Sequence, residues 1–162
     1  MAVIQRIYIR ESKSFIYGTG FTVLEILMAL IIVGILATLG LSRYDEFIER
    51  ARIAEAKADI LGLDVKINFF FNNRHSFPAS LADIGGAPLD PWGNPYQYLN
   101  IQTTRGRGAV RKDHRLVPIN SDYDLYSMGK DGRSASPLTA SHSHDDIIRA
   151  NNGEYIGLAK DY

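Results

Sequence analysis

An apolar run near the N-terminus constrains this chain more than any other feature. Residues 21–41 contain one charged side chain, Glu25, and residues 26–41 contain none. A helix of this length rises about 1.5 Å per residue and covers roughly 30 Å, the thickness of the hydrocarbon core of a bilayer. The run is apolar on every side, so the helix needs apolar surroundings all round. We therefore predict a membrane-spanning helix; the alternative is a helix buried inside a soluble domain.

The charges on either side of the run predict its orientation. Residues 1–20 carry three basic side chains and one acidic side chain, whereas residues 43–66 carry five basic and six acidic ones. Basic residues beside a membrane span favour the cytoplasmic side. The N-terminus is therefore predicted to be cytoplasmic, and the residues after the span are predicted to be exported.

The composition argues against several classes of function. The chain has 18 basic and 18 acidic side chains and no cysteine. A nucleic-acid-binding surface needs a basic excess to contact phosphates, so no nucleic-acid partner is expected. The lack of cysteine excludes disulfides, thiolate nucleophiles and cysteine-ligated zinc.

Small residues precede the apolar run, and a carboxylate lies just inside it. A secretory signal peptide is cut after its apolar segment, whereas a cut after Gly20 would remove only residues 1–20 and leave Phe21 as the new N-terminus. A charge near the apolar zone is costly unless it is paired. A positive N-terminal amine, as a cut before Phe21 would create, is a suitable partner for Glu25. The alternative is a Glu25 that reaches the membrane surface and is favoured by the helix dipole.

The stretch GFTVLE, residues 20–25, followed by the apolar run, resembles the class III signal of type IV pilins and pseudopilins. The resemblance implies that a prepilin peptidase cleaves after Gly20 and N-methylates Phe21, and that Glu25 acts in filament assembly. We expect Glu25 to pair with the Phe21 amine of an adjacent subunit in the filament. It also implies a pilin-like α+β fold, in which a long N-terminal helix packs on a small antiparallel sheet.

The resemblance further implies the organisation of the chain around the inner membrane. The expected parts are a leader peptide at 1–20, the transmembrane half of the helix at 21–41 and a periplasmic globular domain at 42–162. The protein is thus expected to cross the inner membrane once, with its N-terminus in the cytoplasm.

The helix is predicted to continue beyond the membrane. No proline occurs between Phe21 and Asn73, so one helix of about 50 residues can form. Its second half carries apolar residues at spacings of three and four, which places them on one face. We predict that this stripe packs on a sheet, with a coiled-coil partner as the alternative. The members of the stripe are Phe47, Ala51, Ala54, Ala58, Leu61 and Val65.

The end of the helix is predicted from turn and breaker residues. Pro78 cannot continue the helix, and Phe69–Phe71 are predicted to cap the core. Ser80 is predicted to start a short helix at 81–84. Trp92 lies in a turn fixed by prolines, and we expect it to pack against the core edge rather than to form a sugar-binding platform.

Three strands are predicted after that turn. Residues suited to strands occur at 96–101, 114–120 and 122–129. Consecutive short strands form an antiparallel meander, one face of which can lie on the helix. Between the first two strands lies a basic loop, predicted to be solvated or to contact an acidic neighbour in a filament. Its basic residues are Arg105, Arg107, Arg111 and Lys112.

Two stretches, DPWGNPYQY at 90–98 and DLYSMGKDG at 124–132, are similar to segments of the major, G-type pseudopilins of type II secretion systems. The resemblance implies a structural filament subunit rather than an enzyme. Its expected partners are further copies of itself, minor pseudopilins or pilins, and an inner-membrane assembly platform. The alternative is a type IV pilin, major or minor, of a surface pilus for adhesion, motility or DNA uptake. A membrane-tethered enzyme is disfavoured because no convergent catalytic set is evident.

The C-terminal loop contains three carboxylates that predict a calcium site. Asp131, Asp145 and Asp146 could converge with main-chain oxygens on Ca²⁺, which prefers six to eight oxygen ligands. The resemblance to G-type pseudopilins implies calcium in the corresponding loop. The alternative is a solvated acidic turn.

The same loop contains a pattern that only partly matches a zinc site. His142, His144 and Asp146 have the alternating spacing found in a metallohydrolase fold, where imidazoles bind zinc. That pattern needs a further histidine directly after the aspartate, and Ile147 occupies this position. We therefore interpret the two histidines as surface residues of a serine-rich loop.

Overall fold

The computed structural model describes residues 20–162, and its first element is a long helix, α1, at Val23–Arg74. Thr22 begins this helix, because its Oγ1 atom accepts the backbone N–H of Glu25 at 3.2 Å. A threonine at this position satisfies one of the N–H groups that have no partner within the helix. After Arg74 the backbone of His75 adopts a left-handed φ of 54°, a common way for a helix to end. The predicted leader, apart from Gly20, lies outside the described residues.

The described chain divides into two compact units, one ending at Arg43 and one comprising Tyr44–Tyr162. In the first unit, residues 21–38 are all exposed. Within residues 20–162, α1 is the one helix that is long and apolar enough to cross a membrane, and none of its apolar window is buried. The length and composition of α1 therefore fit the predicted span.

The second unit contains the rest of α1 and an antiparallel sheet that packs on it. Within the described residues the sheet has four strands in the order β1-β2-β3-β4. Each strand pairs with the next in antiparallel register. This architecture confirms the predicted α+β fold, a long helix with a small antiparallel sheet. The strands are β1 at Gln97–Asn100, β2 at Tyr123–Ser127, β3 at Ile147–Ala150 and β4 at Tyr155–Leu158.

The predicted strand at 114–120 is wrong. Asp113 and Leu116 exchange two backbone hydrogen bonds across a tight turn, at 3.0 and 2.6 Å. Pro118 follows after a cis peptide bond and has no N–H to donate to a ladder. The segment is therefore a loop.

The two strands that the prediction missed, β3 and β4, form a hairpin near the C-terminus. The linking residues Asn151 and Asn152 both have positive φ, of 51° and 57°. Asparagine tolerates this left-handed conformation better than most residues, and an Asn-Gly pair is a strong hairpin signal. The sequence signal was present in Asn-Asn-Gly between two short apolar runs.

The face of α1 that packs on the sheet is not the predicted stripe. The residues of that stripe are exposed, for example Phe47 at 67% and Val65 at 61%. Each member of the buried face lies one or two positions from the nearest residue of the stripe, and both faces have the same spacing of three and four residues. The members of the buried face, at most 2% exposed, are Ala56, Ile60, Leu63 and Ile67.

Aromatic residues of the sheet and of the segment directly before β1 complete this core. Tyr96 and Tyr123 pack on the buried face of α1 with Leu125 and Ile147. Their hydroxyls donate to helix carboxylates, Tyr96 to Asp59 at 2.8 Å and Tyr123 to Asp64 at 2.6 Å. A buried tyrosine hydroxyl needs such a partner. The sheet is therefore joined to α1 by apolar packing and by hydrogen bonds at its edge.

Several smaller predictions about the core are confirmed and one is corrected. Trp92 packs against the core as predicted. Ser80 begins a 3₁₀ helix at Leu81–Ile84 in a capping box with Asp83. Phe71 stacks on Phe77 with ring centroids 4.4 Å apart, whereas Phe69 is 70% exposed. The predicted aromatic cap is thus only partly formed, because Phe69 lies on the outer face of α1.

A second, smaller core lies on the other side of the sheet. Successive residues of a strand point to opposite faces. In β3, Ile147 joins the core under α1, while Ile148 joins the second core. The sheet is therefore covered on both faces, and Ile119, Leu138 and Ala159 belong to the second cover.

Candidate functional site

The predicted processing site lies directly before α1. Gly20, Phe21 and Thr22 precede the helix and are exposed, and Phe21 is 77% exposed. An exposed, non-helical peptide bond is accessible to a peptidase. The structure thus places the Gly20–Phe21 bond in a segment that a peptidase could reach.

Glu25 lies in the first turn of α1 and is exposed. Its backbone N–H is capped by Thr22, so the two residues form half of the Thr-x-x-Glu capping box. A carboxylate in the first turn is favoured by the positive end of the helix dipole. None of the ion pairs found within residues 20–162 involves Glu25. The Thr-x-x-Glu pattern could have predicted this helix start from the sequence.

The structure brings together two of the three predicted calcium ligands. The backbone N–H of Asp131 donates to Oδ2 of Asp145 at 3.0 Å. Oδ1 of Asp131 accepts the N–H of Arg133 at 2.7 Å, which fixes the turn around it. Both carboxylates therefore belong to one small loop cluster.

Gly129 allows the two loop segments to approach each other. Its φ is 64°, and a Cβ atom there would overlap the carbonyl oxygen of Asp145. It would also lie 2.8 Å from Oδ2 of the same residue. A larger side chain at Gly129 would therefore separate Asp145 from Asp131.

Asp146 is removed from this cluster and lies in a buried ion pair. Its Oδ2 atom accepts from Nη2 of Arg111 and from the hydroxyl of Ser134, each at 2.6 Å. Burial raises the pKa of Asp146 to about 6, and Ser134 and Arg111 oppose this rise. The predicted trio of carboxylates is thus divided, because Asp146 serves to hold Arg111.

Arg111 corrects the prediction that the whole basic loop is solvated. It is 2% exposed, and its guanidinium lies 4.3 Å from the ring centroid of Tyr126. Arg105 and Arg107 are exposed, as expected of a solvated loop. Asp146, which pairs with the buried guanidinium of Arg111, lies 35 residues later in the chain.

The donor set for a metal ion is therefore two carboxylates with nearby main-chain oxygens. Within residues 20–162 no group of three or more His, Asp or Glu side chains is arranged to hold a metal. His142 and His144 are exposed, and Nδ1 of His142 is 3.9 Å from Oδ2 of Asp131. Carboxylate and carbonyl oxygens are the ligands that Ca²⁺ prefers, and imidazole is not. The pair Asp131 and Asp145 fits calcium better than zinc.

A second buried ion-pair network joins α1 to the sheet. Arg149 of β3 is 3% exposed and donates to Asp64 of α1 and to Asp122. Its guanidinium also lies 4.0 Å from the ring centroid of Tyr123. Sequence reasoning missed this network because it missed β3. The network fixes the sheet against the helix and contains no group left over for chemistry.

The chain is similar to secretion proteins over most of its length. It is 30% identical to the type II secretion system core protein G of Aeromonas hydrophila, over 73% of this chain and 87% of that protein. It is 31% identical to the protein of the same name from Pectobacterium carotovorum subsp. carotovorum, over 70% of this chain and 76% of that protein. It is also 32% identical to the type IV major pilin protein PilA of Myxococcus xanthus, over 57% of this chain and 40% of that protein. Neither a protein-family model nor a solved structure matches the chain.

Proposed function

Because the chain belongs to the type II secretion system core protein G family, we propose that it is the major pseudopilin of such a system. In this role it is a structural filament subunit and not an enzyme. The observation that carries the proposal is the similarity to core proteins G over about three quarters of the chain. The similarity to a type IV pilin covers less of this chain and less of the pilin.

The first step of the proposed function is processing at the N-terminus. A prepilin peptidase cleaves after Gly20 and N-methylates the amine of Phe21. The exposed backbone of residues 20–22 supports this step, because a peptidase needs an unfolded segment in its active site. Thr22 remains in the mature chain, so the cap of α1 survives the cut.

The processed subunit waits in the inner membrane before assembly. Its apolar segment spans the bilayer once, with the N-terminus in the cytoplasm and residues 42–162 in the periplasm. The excess of basic residues before the span supports this orientation. The exposed surface of residues 21–38 supports the span, since it gives lipid a continuous apolar contact.

Assembly exchanges lipid contacts for contacts between subunits. Packing between apolar helices favours their association once an assembly platform draws the subunit out of the bilayer. Glu25 then pairs with the Phe21 amine of a neighbouring subunit. In this pair each charge compensates the other, which lowers the cost of placing both in the apolar zone. The same pair sets the stagger between neighbours. Minor pseudopilins are further partners in the filament.

Calcium is the proposed cofactor of the globular domain. Asp131 and Asp145 would hold the ion together with main-chain oxygens of the same loops. Bound calcium would supply a positive charge between two carboxylates that otherwise repel each other. We do not include Asp146 among the proposed ligands, because Arg111 and Ser134 bind its Oδ2 atom and its Oδ1 atom is buried.

A deletion strain tests the proposed function directly. Loss of the gene is expected to abolish export of secreted proteins through the outer membrane, and the full-length gene should restore it. A mutant that secretes normally but has lost its surface pili would instead identify a type IV pilin. Electron microscopy of cells that overproduce the chain should show filaments labelled by an antibody to the globular domain.

A further inference from the structure

The turn at residues 90–94 and the loop at residues 129–132 are far apart in the sequence but in direct contact. Asn94 donates from Nδ2 to the main-chain oxygen of Gly129 at 3.0 Å. Its Oδ1 atom lies 3.0 Å from the position that a Cβ atom would occupy on Gly132. The side-chain amide of Asn94 therefore lies against both ends of the loop.

The N–H group of Gly129 leads back to the same turn through a buried serine. It donates to Oγ of Ser127 at 3.0 Å, and the hydroxyl of Ser127 donates to Oδ2 of Asp90. Ser127 is fully buried and Asp90 is 4% exposed. Hydrogen bonds shielded from water in this way are electrostatically stronger than exposed ones. The N–H and the C=O of Gly129 are thus both bound, directly or through Ser127, to the turn at residues 90–94.

Asp90 also fixes the turn to which these contacts lead. Its Oδ1 atom accepts the N–H groups of Trp92 and Asn94, at 3.1 and 2.7 Å. Its own N–H donates to the main-chain oxygen of Asn94 at 2.8 Å. An aspartate that binds the backbone two residues later stabilises a turn, and Pro91 restricts φ within it. The turn is therefore a well-defined support for the loop.

Gly129 is also the point at which the loop touches Asp145, one of the two proposed calcium ligands. A Cβ atom on Gly129 would overlap the main-chain oxygen of Asp145, so the two backbones are as close as a glycine allows. The other proposed ligand, Asp131, follows two residues after Gly129, and its N–H donates to Oδ2 of Asp145 at 3.0 Å. The position of Gly129 therefore determines how the two carboxylates meet.

From these contacts we propose that Asn94, Asp90 and Ser127 are positioning residues of the calcium site. By holding Gly129 they keep the two carboxylates together before the ion binds, so that binding has less conformational entropy to remove. The inference rests on the proposed function, because it concerns the calcium ion proposed there. It also gives a role to the sequence DPWGNP, which supports the loop that follows β2.

Calcium titration of the full-length chain in detergent tests the proposal. Asn94→Ala removes the hydrogen bond to the C=O of Gly129, and Ser127→Ala removes the one to its N–H. Loss of a group that orients metal ligands typically weakens metal binding about 10- to 100-fold. Each variant should therefore raise the calcium Kd, measured by isothermal titration calorimetry, by a factor in that range.

Asn100→Ala is the matched control for a general loss of stability. Asn100 likewise donates from Nδ2 to a main-chain oxygen, that of Pro78 at 3.3 Å. Its register partner is Tyr123, at the opposite end of β2 from Ser127. The variant should lower Tm, because a buried hydrogen bond is lost, and should keep the wild-type calcium Kd.

Hydrogen exchange provides an independent readout, because coupling between two sites is reciprocal. If the turn at residues 90–94 favours calcium binding, calcium stabilises the turn by the same free energy. Calcium should therefore slow the exchange of the N–H groups of Trp92 and Asn94 in the wild type and in Asn100→Ala. In Ser127→Ala, which keeps both N–H groups, calcium should slow their exchange much less.

The outcomes separate this inference from the proposed function. A wild-type calcium Kd in both Asn94→Ala and Ser127→Ala would overturn the positioning role and leave the calcium site intact. An equal rise in Kd for Asn100→Ala would show a general effect of stability and would also overturn it. So would calcium that protects the loop at residues 129–132 but not the turn. A wild-type chain that binds no calcium would overturn the calcium site and this inference together, but not the pseudopilin function that the deletion strain tests.

Discussion

The carboxylate of Glu25 lies where two effects act on it. The N-terminal end of α1 favours a negative charge, and the apolar run that begins directly after it disfavours one. Glu25 lies in the first turn of α1, which Thr22 caps, so its carboxylate is close to the N-terminus that the proposed processing would create. The proposed partner amine on another subunit would compensate a charge kept in this position.

Removal of this charge should block assembly without blocking processing. We expect Glu25→Gln, which preserves the size of the side chain, to be cleaved after Gly20 and to yield few or no filaments. Mass spectrometry of the membrane fraction would measure cleavage and methylation at Phe21, and electron microscopy would measure filaments. Thr22→Val, which removes the cap but keeps the charge, is the control and should still assemble. Wild-type numbers of filaments from Glu25→Gln would contradict the assembly role.

The pair Asp131 and Asp145 should make the stability of the globular unit depend on calcium. The unit Tyr44–Tyr162 contains both core clusters and can be studied alone. A ligand at a hundred times its Kd stabilises by about 2.7 kcal/mol, which corresponds to a rise of roughly 10 °C in Tm for a unit of this size. Thermal melting with calcium and with EGTA would measure the shift.

Two variants distinguish a bound ion from a general effect of salt. Asp145→Asn should abolish the calcium-dependent shift. Asp146→Asn should lower Tm, because it weakens the buried pair with Arg111, but it should leave the calcium-dependent shift in place. An equal Tm of the wild type in calcium and in EGTA would contradict the proposed calcium site.

The two faces of α1 differ in burial although they share one periodicity. Ile60 is fully buried against the sheet, whereas its neighbour Leu61 is 55% exposed. Both are large aliphatic residues of the same helix turn, so they form a matched pair. The difference between them isolates the effect of packing from that of helix propensity.

Alanine substitution at these two positions should have unequal effects. Ile60→Ala is expected to lower the free energy of unfolding by roughly 2–5 kcal/mol, because it leaves a cavity under the sheet. Leu61→Ala should change it by less than about 0.5 kcal/mol, as surface substitutions usually do. Urea unfolding of residues 44–162 would measure both values. A larger loss for Leu61→Ala would mean that the predicted stripe, and not the observed face, packs on the sheet.

The sequence predicts α1 better than it predicts what α1 packs on. The apolar run and the lack of proline up to Asn73 are local signals, and they locate the helix to within two residues at its start. Periodicity shows that a helix has an apolar face but not which of two such faces is covered. Ile60 and Leu61 belong to two different faces of α1 with the same spacing. The face that is buried is the one that contacts the sheet.

The sheet and the loop cluster depend on contacts that are distant in sequence. Strands β3 and β4 have four residues each, which is too short for alternation to stand out. The pairing of Arg111 with Asp146 spans 35 residues and could not be read from either segment. The prediction therefore named the carboxylates of the C-terminal loop but could not show that one of them faces the interior.

At the scale of the whole globular unit, buried tyrosine hydroxyls make the free energy of unfolding depend on pH in the alkaline range. Tyr96 and Tyr123 are 5% and 0% exposed, and each donates its hydroxyl to a helix carboxylate. Burial raises the pKa of both phenols, and the carboxylates Asp59 and Asp64 raise it further. The folded state therefore keeps two protons that the unfolded chain releases above about pH 10.

The free energy of unfolding should consequently fall as pH rises above 10. Raised pKa values in the folded state give stability that is complete below the unfolded pKa and is lost above it, by about 1.4 kcal/mol per pH unit for each proton. Urea unfolding of residues 44–162 between pH 9 and pH 11.5 would measure the slope. Tyr123→Phe should make the slope shallower by about one proton, although it also removes the hydrogen bond to Asp64. Tyr44→Phe removes an exposed phenol and is the control, and an equal reduction of the slope in both variants would contradict the role of the buried hydroxyl.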